Sequence, residues 1–93
     1  MKIIENKKVK LFGNDISYAF LMKTCLDAIP NTGILASEMR KRLRVHVAIE
    51  SNSEKIELED ADHETLVACA KQTYWKVVDQ VIIDFEEALG IEK

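Results

Sequence analysis

Apolar residues along the chain change their period several times, and each change marks an element. In "MKIIENKKVKLF", Val9 and Leu11 fall on one side and Lys8 and Lys10 on the other, the period of two expected of a half-buried strand. Ile3 and Ile4 supply a second short strand, so this stretch predicts a small hairpin turning at Glu5-Asn6-Lys7 and ending at Gly13-Asn14. The period then lengthens. Tyr18, Met22, Cys25, Leu26 and Ile29 form a stripe at spacings of three and four, which predicts a helix capped by Asn14 or Asp15 and stopped by Pro30.

A second helix restarts after "PNTG", with Asn31 or Thr32 as its cap. Leu35, Met39, Leu43 and Val47 step by four and are its predicted core stripe. "LRVHVAIE" also alternates, and with "KIELE" it could form a hairpin from Leu43 to Glu59. The strong helix propensity of "LASEMRKRL" favours a helix running to about Glu50. "KIELED" reads as a brief extended segment leading to a cap at Asp60 or Asp62.

From His63 onward, Leu66, Ala70, Tyr74, Val77, Val81, Phe85 and Ala88 repeat by three or four, widened by Val67, Val78, Ile82 and Leu89. This is the strongest helical pattern in the chain, and Gly90 suits a left-handed cap at its end. Unbroken from Ala61 to Leu89, such a helix would be ~43 Å long at 1.5 Å per residue. That is long for so small a domain, so a kink is expected at residues 72–75. The expected fold is therefore mainly α: one compact three-helix domain, residues 1–93, with a small N-terminal β-hairpin and a long C-terminal helix.

Length and composition agree with one small globular domain. The chain has 93 residues, of which 47% are hydrophobic. The formal net charge of −3 hides a division. Up to Ala48 there are nine Lys or Arg against four Asp or Glu, +5; from Ile49 onward there are four against twelve, −8. A basic front and an acidic back suit a nucleic-acid face, or two halves that attract each other within the fold or head to tail between copies.

The chemistry-bearing residues are dispersed. Cys25 and Cys69 form no CxxC pattern, and with His46 and His63 they lack the short paired spacing of a zinc site. No partner can be named that would activate either thiol as a nucleophile. "ELEDADHE" lacks the glycine and loop spacing of an EF-hand, and no phosphate-cradling glycine motif occurs. The sequence thus predicts no enzyme activity, no cofactor and no metal. With no signal-peptide-like or membrane-spanning apolar run, a soluble protein of a reducing cytoplasm is expected, with both thiols free.

Two candidate surfaces remain. Tyr74, Trp75, Ile82 and Phe85 place apolar groups on more than one face of the last helix, which predicts an interaction surface and a homo-oligomer that buries Trp75 or Ile82. Arg40, Lys41, Arg42 and Arg44 put four cations within five positions of the second helix, the outline of a helix-turn-helix contact with nucleic acid. The cations come a turn or two late for base contacts but could meet phosphates.

The second half resembles a pattern found in small phage and prophage proteins. In those, a short "V-E-L" stretch leads to an acidic helix start, then a "K-x-Y-x-P-L-V-V-G-Q-V" run and a closing "L-E". The matching positions are Ile56-Glu57-Leu58, Asp60, Asp62, Lys71, Tyr74, Val77, Val78, Gln80, Val81, Phe85 and Glu86. Together with "ISYAFLMKTCLDAI", the resemblance covers about two thirds of the chain. The pattern's proline is replaced by Trp75-Lys76 and its glycine by Asp79. The resemblance implies a phage or prophage origin and a binding or structural role, with a homo-oligomer or another phage or host protein as partner.

Overall fold

The computed structural model describes residues 1–51 and 54–91. Strand β1 (Lys2–Glu5) is followed by β2 (Lys8–Leu11), β3 (Asn14–Ser17), α1 (Tyr18–Asp27) and α2 (Ala36–Glu50). Strand β4 (Lys55–Leu58), α3 (Asp60–Lys71) and α4 (Gln80–Ala88) complete the chain. Among the described residues the fold is α+β, with four helices and two two-stranded antiparallel sheets, which corrects the expected three-helix, mainly α domain.

The sheets differ from the expected hairpin. β1 pairs with β4, not β2, in a register that sets Ile4 against Ile56 and Lys2 against Leu58. Ile4, Ile56 and Leu58 are buried, whereas Ile3 is exposed. Burial of Ile4 against a strand some fifty residues away outweighs local pairing. Asn6 carries the chain between the two sheets: its backbone N–H donates to the Glu54 carbonyl, and its Oδ1 accepts from Ala19 N at 2.9 Å. The true hairpin is β2–β3, with Val9 opposite Ile16 and Phe12-Gly13 as its two-residue turn. Both turn residues have positive φ, 51° and 79°, as a type I′ turn requires.

Because Asn14–Ser17 is committed to β3, α1 begins at Tyr18 and not directly after the expected cap at Asn14 or Asp15. Ser17 caps it, its hydroxyl accepting from Phe20 N. α2 also starts late, at Ala36, because "PNTG" closes as a turn with Gly33 N donating to the Pro30 carbonyl and Gly33 at φ 82°. It then runs to Glu50, which excludes a hairpin beginning at Leu43. The turn of that hairpin, Asn52-Ser53, lies outside the described residues.

The long C-terminal helix is two helices. α3 ends at Lys71, and Thr73 folds back to bond the Cys69 carbonyl through Oγ1 at 2.8 Å. The chain then takes a loop to Asp79, whose carboxylate caps α4 by accepting from Val81 N at 2.9 Å. The break lets Trp75 pack edge-on against Phe85, with ring centroids 6.3 Å apart. α4 closes with Gly90 at φ 89°, where Gly90 N donates to Glu87 O and Ile91 N to Glu86 O, the paired bonds of a Schellman motif. His63 Nε2 lies 2.8 Å from the Leu89 carbonyl, joining the start of α3 to the end of α4.

One core joins these elements. Leu21, Met22 and Cys25 of α1, Val45 and Ile49 of α2, Leu66 of α3 and Phe85 of α4 are buried together with the apolar face of β1–β4. Tyr18 meets Phe85 edge-on at 5.4 Å.

Candidate functional site

The inner face of α2 is Arg42, Val45 and Ile49, at spacings of three and four. The stripe expected to face the core points the other way. Leu35 is 77% exposed, Met39 46%, Leu43 56% and Val47 64%. α2 thus has two apolar faces, and the domain covers one. The exposed stripe runs along the α1 side of the helix. There, Lys23 and Glu50 form an ion pair at 3.6 Å, and His46 Nε2 lies 2.9 Å from Asp27 Oδ1. Ile29, just beyond the end of α1, is also 55% exposed, although the sequence stripe placed it on the inner face.

The cation cluster divides. Arg42 is buried, and its guanidinium donates to the carbonyls of Leu26 at 3.1 Å and Ala28 at 2.8 Å. These carbonyls end α1, where the helix leaves acceptors unpaired and its dipole is negative. Arg42 Nε lies 3.6 Å from Glu38 Oε1. Arg44 Nε donates to Asp62 Oδ1 at 2.8 Å, and Asp62 is buried in the first turn of α3. Two of the four cations are therefore engaged within the fold, whereas Arg40, Lys41 and Arg44 are all exposed, Arg44 while paired with Asp62. The basic front and acidic back meet, at least here, within one molecule.

The second predicted surface is likewise divided. Ile82 and Phe85 are buried in the molecule's own core, and Trp75 is half-buried against Phe85, its Nε1 enclosed without a hydrogen-bond acceptor among the described residues. An interface that buries Trp75 or Ile82 between copies would have to open this core. Tyr74 is 94% exposed and Val78 fully so, because the loop turns alternate side chains outward.

The remaining groups offer little chemistry. Burial pushes the Cys25 thiol up to about 11 against the opposing pull of a hydrogen bond with Thr73, and burial also raises Cys69. Neither is a ready thiolate. No group of three or more His, Cys, Asp or Glu that could hold a metal ion occurs among the described residues. No helix among them is long and apolar enough to cross a membrane. An open groove of about 800 Å³ beside the β2–β3 hairpin is lined by Val9, Ile16 and Phe20 with Lys8, Lys10, Asp15 and Ser17. No family model, curated protein or solved structure matches the chain.

The stripe on α2 was visible in the sequence but assigned to the core. The signal against that assignment is a second set, Val45, Ala48 and Ile49, on the same helix. A helix that packs by one face does not need both.

Proposed function

We propose that this chain is a non-enzymatic accessory protein of phage or prophage origin that acts by protein–protein contact through the outer face of α2. The origin is supported by the C-terminal motif. The mode of action is supported by one observation, the exposure of Leu35, Met39, Leu43 and Val47 along a single helix. Scattered exposed apolar residues are ordinary on a protein surface, but a contiguous stripe is the kind of surface that a partner covers. Such a protein would work in the host cytoplasm or on the virion. Contact with nucleic acid is the competing reading. It is weakened by the internal engagement of Arg42 and Arg44, which leaves Arg40 and Lys41 to meet phosphates.

The test is a pair of substitutions, Met39→Asp and Leu43→Asp, followed by urea unfolding and DNA titration. An uncovered docking face predicts that each changes stability by less than ~0.5 kcal/mol, as exposed positions do. A loss of 2 kcal/mol or more would mean that the stripe is core in solution and would overturn the reading. So would DNA binding at ~150 mM salt that Arg40→Gln and Lys41→Gln abolish, since a phosphate-binding helix would then be the functional surface.

A further inference from the structure

The groove beside the β2–β3 hairpin gathers groups that the α2 face does not use. Its register sets Lys8 opposite Ser17 and Lys10 opposite Asp15. Both lysines are exposed, and they stand two residues apart on β2, ~6.7 Å at the rise of a strand. Neither makes an ion pair among the described residues, although Asp15 lies across the ladder from Lys10. Phe20, in the first turn of α1, lines the same groove and is exposed. Val9 and Ile16 complete its apolar wall and are held in place by packing against the core. With two cations and one acid, the groove is locally positive on a chain whose net charge is −3.

We infer that this groove binds single-stranded nucleic acid, with phosphates at Lys8 and Lys10 and a base stacked on Phe20. Unpaired lysines attract any anion, so the ring and the shape of the groove narrow the class. A small organic anion needs a pocket that encloses most of its surface, and this groove is open. A strand lying along an open groove needs only its phosphates held and its bases stacked, and a cationic groove with an aromatic platform supplies both. An acidic peptide would satisfy the lysines but offer the ring no flat partner. A duplex would satisfy them too, but its bases stack on one another and leave none for Phe20. The site is separate from α2, and neither Arg40 nor Lys41 lines it.

Fluorescence anisotropy tests this with the full chain at up to ~200 μM and a labelled oligothymidylate of ~12 nucleotides, within the usual range of single-strand sites. Binding is expected at ~20 mM salt, with log K falling against log salt at a slope of about −1.4, from about −0.7 for each of two phosphates. Lys8→Gln with Lys10→Gln should flatten that slope to near zero. Phe20→Ala should weaken binding at least ~5-fold with the slope unchanged, and Phe20→Leu, which keeps apolar bulk without a flat ring, should not restore it. Far-UV circular dichroism confirms that these variants are folded, as substitutions at exposed positions are expected to be. Arg40→Gln with Lys41→Gln should bind as the wild type does. The inference is overturned if no binding occurs at ~20 mM salt, since phosphate contacts are strongest there. It is also overturned if the same oligonucleotide annealed to its complement binds as tightly, or if polyglutamate of equal charge displaces the strand. Loss of binding in the α2 variant but not in the hairpin variant overturns it too, and only that last result also bears on the reading of α2 as a docking face.

Discussion

Arg44 on α2 donates from Nε to Asp62 Oδ1 on α3 at 2.8 Å, and the Asp62 side chain is only 8% exposed. The pair joins the basic and acidic halves of the chain at one point. Removing the guanidinium strands a buried carboxylate, so Arg44→Gln should destabilise the domain by about 1–3 kcal/mol in urea unfolding. Arg40→Gln, four positions earlier on an exposed face, should change stability by no more than ~0.5 kcal/mol. Equal effects from the two would mean that the pair is not formed in solution.

Arg42 makes a different kind of contact, because its acceptors are the carbonyls of Leu26 and Ala28 rather than a carboxylate. Arg42→Ala should cost about 2–4 kcal/mol by leaving the end of α1 unpaired and opening a void beside Glu38. At ~4–8 °C per kcal/mol for a domain of this size, thermal unfolding should shift down by at least about 8 °C. Arg42→Lys should recover only part of this: both bonds come from Nη1 alone, and the shorter Lys side chain sets its ammonium short of the place that nitrogen holds.

The hairpin tip is strained at Phe12, a bulky residue at φ 51°. Its ring is exposed and contributes little packing to offset that strain. Phe12→Asn creates the Asn-Gly pair favoured in type I′ turns and should stabilise the domain by about 0.5–1 kcal/mol. Gly13→Ala, at φ 79° with open space around its Cβ, should destabilise by about 1 kcal/mol through backbone strain alone. Denaturation midpoints for the two variants should therefore move in opposite directions.

Burial of Cys25 leads to a pH prediction. Its thiol is held at about 11 in the folded chain, against 9.0 as the ordinary value. Above pH 9 the unfolded chain gains thiolate that the folded chain does not. This contribution to stability is therefore complete below 9 and is lost as pH rises from 9 through 11. Cys25→Ser should flatten that alkaline decline. At pH 8 without denaturant, a thiol reagent should label neither cysteine within minutes, and both should react after unfolding.

Local pattern was enough to find the apolar inner face of α1, the body of α2 as far as Glu50, the extended "KIEL", and the glycine cap at Gly90. It also marked the region near Gln72 where the C-terminal helix breaks, and Asp79 before an apolar run was a readable cap that the long periodicity masked. These features depend on residues within a few positions of one another, so side-chain spacing and capping chemistry carry them. Tertiary structure decided the rest. The strand holding Ile4 could pair with Lys8–Leu11 or with Lys55–Leu58, and only packing of the whole core selected the latter. Of the two apolar faces on α2, the core accommodated Val45 and Ile49 with Arg42, which also satisfied the carbonyls ending α1. Leu35, Met39, Leu43 and Val47 were left outside as a consequence. Periodicity records that a helix has an apolar face, but which face is buried depends on the volume and hydrogen-bond needs of neighbours distant in the chain.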